Sequence, residues 1–218
     1  MPIALEHDDI QQLDDIIKRG RPLQQSNHVY REAESFHSVY AVRSGSVKAY
    51  RAMGDGREQV IGFYFPGEII GLDGISSNTH NASAKTLETA VVCEIPFSSL
   101  KGLSSIVPPL QRHLFRLMSR GIIEDQQRIT LLSRNSAAER IAFLLLSISA
   151  RNISRKLSGT RFRLSMSRLD IGNYLGLTVE TISRVFSQLQ KMAVLEVDNR
   201  EIAIVDMLGL RKLSNLVD

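Results

Sequence analysis

The chain has 218 residues, carries 27 Lys and Arg against 23 Asp and Glu for a formal net charge of +4, and is 43% hydrophobic. That length suits one or two domains with a buried core, no run approaches the roughly 18 apolar residues of a membrane-spanning helix, and the start MPIALEHDDIQQL is too polar for a signal peptide. The single cysteine, Cys93, excludes an intrachain disulfide framework, as expected of a protein working in a reducing cytoplasm. From Arg134 onward there are 13 Lys and Arg against 8 Asp and Glu, whereas residues 1–133 hold 14 against 15. A basic second half is the footprint of phosphate binding, and also of an ordinary solvated basic surface.

From about Ser26 to Phe97 short alternating stretches such as SVYAVRSGSVKAYRA and QVIGFYF are punctuated by Gly45, Gly54-Asp55-Gly56, Pro66-Gly67 and Gly71. The pattern predicts an antiparallel hairpin sandwich or barrel, with Asp55-Gly56 as a tight turn. Gly67, Glu68 and Gly71 read as turn residues. Cys93 lies in the apolar run VVCEI, without a flanking cation to lower its pKa, and suits a small buried hydrophobe better than a reactive thiol. His7, His28, His37, His80 and His113 show no metal-ligand spacing and are expected at the surface or as satisfied polar groups.

A long helix is expected over Pro108 to Ser133, its Pro108-Pro109 suiting a first helical turn. Phe115, Met118, Ile122, Asp125, Ile129 and Leu132 alternate spacings of three and four, a coiled-coil seam. Such a seam implies a parallel pair of helices and a homodimer; packing on the helix's own domain gives the same pattern. Asp125 is its anomaly, because two carboxylates meeting across a two-fold axis repel in a desolvated place.

After Arg134 come the amphipathic helix SAAERIAFLLLSISARN and a strand-like RFRLSM. Ile171, Leu175, Leu177, Ile182, Val185, Phe186 and Leu189 then fit two short helices broken at Leu175-Gly176-Leu177, with Thr178 capping the second: a helix-turn-helix. With Val185, Phe186 and Leu189 inward, Val179, Glu180, Ser183, Arg184 and Ser187 project outward. Arg can bond O6 and N7 of guanine, Glu can accept from N4 of cytosine, and Ser or Val can touch thymine. Glu180 and Arg184 also fit an ordinary i, i+4 surface pair. VLEVDNREIAIV reads as a hairpin around Asp198-Asn199, a wing.

VETISR inside DIGNYLGLTVETISRVFSQLQ resembles the recognition segment of the CRP/FNR family of bacterial transcription regulators, in its FNR branch. VYAVRSGSVKAY (39–50), EQVIGFYFPGEIIGLDGI (58–75), TLETAVVCEIPF (86–97) and LMSRGIIEDQQ (117–127) follow in the family's order. The resemblance implies an α+β chain: an antiparallel β-roll sensor domain over 1–107, a dimerisation helix over 108–133 and a winged helix-turn-helix over 134–218. It favours the homodimer, with Asp125 matching the seam acid of a branch that switches by monomer-dimer exchange. Val179, Glu180, Ser183 and Arg184 become the base-reading set, Arg168, Thr178 and Thr181 phosphate contacts, and the target a TTGAT-N4-ATCAA palindrome in double-stranded DNA. RNA polymerase is the implied second partner, met at the Gly54-Asp55-Gly56 turn and near Thr89.

The chain departs from cyclic-nucleotide-binding members. Leu72 follows Gly71 where they carry a second carboxylate, and His80-Asn81 stands where they carry the Arg-Ser pair that holds the cyclic phosphate. Cyclic AMP is therefore not the expected effector. Oxygen-sensing FNR proteins bind a four-iron cluster through three N-terminal cysteines and a central one. Cys93 matches the central one, the other three are absent from this sequence, and one thiolate cannot hold a cubane, so no cofactor is expected. A naturally shortened relative and a cluster protein lacking its N-terminal segment both fit; Met1 favours the former. A regulator of the same family sensing haem, nitric oxide or a small metabolite is the alternative. An enzyme is disfavoured, since no Gly-rich phosphate loop, nucleophile elbow or HExxH occurs.

Overall fold

The computed structural model describes residues 7–134 and 136–214 and divides into two compact units between Gln126 and Gln127, within one long helix. The opening residues, including Met1, and the side chain of His7 lie outside the described part.

In the first unit α1 (His7–Ile16) precedes seven strands: β1 (His28–Tyr30), β2 (Ser38–Ser44), β3 (Val47–Ala52), β4 (Glu58–Tyr64), β5 (Ile69–Ile70), β6 (Ser83–Thr86) and β7 (Val91–Pro96). They form two antiparallel sheets, ordered β1-β6-β3-β4 and β5-β2-β7. Val47 and Ala84 of the first sheet meet Val42, Ile70 and Val92 of the second in one core cluster. Phe36, Val39 and Ile95 pack with Leu100 and Leu103 of α2 (Phe97–Ile106) in another. Two sheets packed in this way are the sandwich that the alternation predicted.

Turn chemistry closes the hairpins. Between β2 and β3, Gly45 has φ +73°, and a Cβ there would lie 2.7 Å from the Cβ of Ala90, so only glycine fits. Between β3 and β4, the Gly56 N–H donates to the Met53 carbonyl at 2.9 Å and the Met53 N–H to the Arg57 carbonyl at 2.8 Å, which places Asp55-Gly56 at the tip. Glu68 spends its carboxylate on its own turn, accepting from the Phe65 N–H at 3.0 Å. Cys93 is buried on β7 opposite Ala41, as a small hydrophobe should be.

His80 departs from expectation. It is only 3% exposed and its Nδ1 has no hydrogen-bond partner. Its ring stacks on Tyr30 with centroids 3.9 Å apart, edge-on to Phe36, and Asp73 comes no nearer Nδ1 than 3.9 Å. The aromatic residues that enclose it, Tyr30 on β1 and Phe36 before β2, are 50 and 44 residues away in sequence, so no local signal marks it.

Helix α3 (Pro108–Arg134) runs 27 residues, about 40 Å at the usual rise of ~1.5 Å per residue. On it Phe115, Met118, Ile122 and Ile129 stand 62%, 43%, 59% and 65% exposed, an apolar stripe that a single chain leaves in water. Leu132 is half-buried, Asp125 is exposed, and Ile123, outside the stripe, is 50% exposed.

The second unit contains α4 (Ala137–Ser154), β8 (Arg161–Arg163), α5 (Arg168–Leu175), α6 (Val179–Lys191), β9 (Leu195–Asp198), β10 (Glu201–Ile204) and α7 (Met207–Leu213). A capping box of Ser136 and Glu139 starts α4, and one of Ser167 and Asp170 starts α5. Ile141, Leu145, Leu164, Met166, Ile171, Leu175, Ile182, Leu189, Leu195 and Leu210 are its most deeply buried large side chains. Two details differ from the sequence reading. Strand β8 stops at Arg163 because Leu164 and Met166 turn into the core, and the wing turn is Asn199-Arg200, one residue later, since Asp198 pairs with Glu201. Asn199 supplies the left-handed conformation there, at φ 54°. Helices α1, α2 and α7 add to the elements that the sequence pattern predicts.

Candidate nucleic-acid interface

The recognition element is built from local signals. Helix α5 ends at Leu175, Gly176 takes the left-handed conformation at φ 65°, and α6 begins behind Thr178, whose Oγ1 accepts from the Thr181 N–H at 3.2 Å. Ile182, Val185, Phe186 and Leu189 are buried on one face of α6. Val179, Glu180, Ser183, Arg184 and Ser187 are exposed on the other, where the sequence put them.

That exposed face is mostly polar, and its bonds run along the helix. No ion pair joins Glu180 to Arg184 among the described residues, so the surface-pair arrangement is not adopted. Glu180 lies in the first turn, where its own backbone N–H and the Thr178 hydroxyl hold its carboxyl below the usual range, leaving an ionised acceptor. The hydroxyl of Ser183 bonds the Val179 carbonyl at 2.9 Å and that of Ser187 bonds the Ser183 carbonyl at 3.0 Å. Both therefore lie close along the helix, leaving room above it for bases.

The three phosphate-contact candidates differ. Thr178 and Thr181 sit together and exposed or half-exposed at the start of α6, their hydroxyls 3.1 Å apart. Arg168, at the first residue of α5, is half-buried and lies against its own domain. Its Cζ lies 3.8 Å above the Phe186 ring, Nη2 donates to the Asn199 carbonyl at 3.3 Å, and Nη1 is buried without an acceptor. Burial pulls its pKa down.

Arg140 of α4 is a further residue that sequence reasoning missed. It donates from Nη1 to the Leu175 carbonyl at 2.9 Å and from Nη2 to the Leu132 carbonyl at 3.0 Å, so one cation holds the last turn of α3 and the turn of the helix-turn-helix. Nearby, the Arg128 guanidinium lies 5.6 Å from the Tyr174 ring centroid. The partners are 35 and 46 residues apart in sequence, and neither pair carries a motif.

In the first unit, Gly54, Asp55 and Gly56 are exposed, and Asp55 accepts from the Arg57 N–H at 3.0 Å and its Nε at 2.6 Å. The Arg57 side chain holds the Asp55 carboxyl below the usual range. Thr89 is exposed at the turn joining β6 to β7, 3.5 Å from Gln24 Oε1.

A β-roll and a winged helix-turn-helix whose recognition helix presents an exposed, mostly polar face define a DNA-binding transcription regulator. Residues 21–105 match the cyclic nucleotide-binding domain and residues 139–213 the Crp-like helix-turn-helix domain. Over 214 residues, 98% of the chain, it is 47% identical to the transcriptional activator FnrA of Stutzerimonas stutzeri, covering 88% of that protein. It is 41% identical over 216 residues to the fumarate and nitrate reduction regulatory protein of Vibrio cholerae, covering 99% of this chain and 86% of that one. The structure of FixK2 from Bradyrhizobium japonicum superposes with a TM-score of 0.85 at 30% identity, over 93% of this chain and all of that one. The chain belongs to the CRP/FNR family, in its FNR branch, and is a transcription regulator, not an enzyme. Among the described residues no helix is long and apolar enough to cross a membrane.

Proposed function

We propose that the chain acts in the cytoplasm as a homodimer that reads a TTGAT-N4-ATCAA palindrome and activates transcription by contacting RNA polymerase. The observation that carries this is the exposed set Val179, Glu180, Ser183 and Arg184 on α6: an ionised acceptor, a guanidinium, a hydroxyl and a methyl-bearing side chain at one end of one helix. Such a set distinguishes G·C from A·T in the major groove. Two copies are needed, because an inverted repeat has two half-sites about one helical turn apart. The apolar stripe Phe115, Met118, Ile122 and Ile129 supplies the dimer surface, with Asp125 and Leu132 on the same line. Polymerase meets the Gly54-Asp55-Gly56 turn and Thr89.

Cyclic AMP is not the signal we expect. The resemblance puts His80-Asn81 where cyclic-AMP members carry their phosphate-binding pair, and His80 is buried against Tyr30. A cubane cluster does not fit these residues either, since Cys93 is one buried thiol where four ligands are required. Fluorescence anisotropy with a TTGAT-N4-ATCAA duplex against a scrambled duplex of equal composition tests the proposal. Preference for the palindrome by about a thousandfold or more is expected from typical specific-to-nonspecific ratios; equal affinity overturns it.

A further inference from the structure

We infer that Arg168 is a positioning residue that sets the wing against the recognition helix, its guanidinium clamped between the Phe186 ring and the Asn199 carbonyl. The two contacts lie on different elements. Phe186 belongs to the buried face of α6, 3% exposed, and the Arg168 Cζ sits 3.8 Å above its ring. Asn199 forms the left-handed wing turn between β9 and β10, and its carbonyl accepts from Nη2 at 3.3 Å. Two further bonds fasten the wing to the same body: Arg200 Nη1 to the Ser165 carbonyl at 3.1 Å, and the Leu164 N–H to the Arg200 carbonyl at 2.8 Å. Arg168 joins the wing turn to the Phe186 ring of α6, beside the bond that Gln190 of α6 donates to the Val197 carbonyl of β9 at 3.4 Å.

The chemistry fits a strut. A guanidinium has five donors and is costly to bury with so few acceptors, and here Nη1 is buried with none. A flat, weakly hydrated cation lying on an aromatic face recovers part of that cost. An ammonium cannot stack in this way, so lysine should not substitute. An arginine kept only to meet phosphates needs no such pocket, and lysine would serve it nearly as well. By holding Phe186 and the wing turn at once, Arg168 fixes the distance between the base-reading face and the wing, so both engage one duplex together.

The test is a set of full-length variants, Arg168→Lys, Arg168→Gln, Phe186→Leu and Phe186→Tyr, with the double variant Arg168→Lys/Phe186→Leu. Binding is measured by anisotropy across a salt series on a duplex selected by the wild-type protein from a random-sequence pool, so that failure of the TTGAT proposal leaves this test intact. Arg168→Lys, Arg168→Gln and Phe186→Leu should each weaken binding about three- to tenfold, the scale of one lost stacking contact. Phe186→Tyr, which keeps the ring, should bind like wild type, and the double variant should be no worse than either single one. The slope of log affinity against log salt should stay unchanged. A near-normal Arg168→Lys with a slope lowered by about one in Arg168→Gln would make Arg168 a phosphate contact and overturn the inference. Loss of affinity only in proportion to a lowered unfolding temperature would reduce it to a fold contact and overturn it too. If the Arg168 variants do not fold, Phe186→Leu against Phe186→Tyr still decides: equal binding by the two refutes the strut.

Discussion

Truncating Ile122 to alanine should weaken self-association far more than it weakens the fold. Ile122 is 59% exposed in the single chain, so over half of its side chain remains to be buried by a partner. Full burial of an isoleucine gives about 1.5 to 3 kcal/mol, so the remaining fraction contributes about 1 to 2 kcal/mol per protomer and about 2 to 4 for the symmetric pair. That range corresponds to a dimer Kd raised roughly 30- to 1,000-fold. Ile123 is also an exposed isoleucine, at 50%, but lies off the line of Phe115, Met118 and Ile129. Its truncation should change the constant by less than about threefold. Sedimentation equilibrium at several concentrations measures both. If Ile122→Ala leaves the dimer constant unchanged, or if Ile123→Ala costs as much, the stripe is not the seam and the reasoning is refuted.

Asp125→Ala should do the opposite, tightening the dimer by about 1 to 3 kcal/mol as two facing carboxylates are removed from a desolvated seam; sedimentation showing a weaker dimer would place the carboxylates apart. Arg184→Ala should cost about 1 to 3 kcal/mol on the palindrome and little on scrambled DNA, because guanine contacts discriminate and phosphate contacts do not; equal loss on both duplexes in anisotropy titrations contradicts the base-reading role. His80 is held below the usual histidine value chiefly by burial, with Asp73 and Glu34 pulling upward and His37 downward. As pH falls below about 6.5, the unfolded chain takes up a proton that the folded chain refuses, so stability falls and levels off only once folded His80 is protonated too. His80→Phe should therefore lose less of its urea midpoint than wild type between about pH 7 and 5; an equal loss assigns the pH dependence to other groups.

The helix-turn-helix was legible because its signals are local. Ile182, Val185, Phe186 and Leu189 recur at helical spacing, Thr178 can cap the helix that carries them, and Gly176 is the residue that a left-handed helix end favours. Asp55-Gly56 and Pro108-Pro109 announced a turn and a helix start for the same reason. The wing slipped by one residue because Asp198, Asn199 and Arg200 all tolerate a turn, and cross-strand pairing of Asp198 with Glu201 decided the register. Contacts set by tertiary packing left no trace in the sequence. Arg168 was matched to a phosphate-contact position, yet its guanidinium lies on a ring 18 residues away, and a histidine expected at the surface or satisfied was drawn into the β-roll by Tyr30 and Phe36.

Arg140 makes the end of α3 and the turn before α6 a geared pair. Each of its two hydrogen bonds ends on a carbonyl in the last turn of a helix, Leu132 of α3 and Leu175 of α5, where unpaired carbonyls concentrate partial negative charge. One guanidinium neutralises both poles, and its planar shape fixes the angle between them. A rotation of the final turn of α3 would therefore act directly on the Arg140 guanidinium. The same guanidinium bonds the Leu175 carbonyl, one residue before the Gly176 turn that leads into the recognition helix, so Arg140→Lys, which cannot span both carbonyls with one planar group, is expected to loosen that joint.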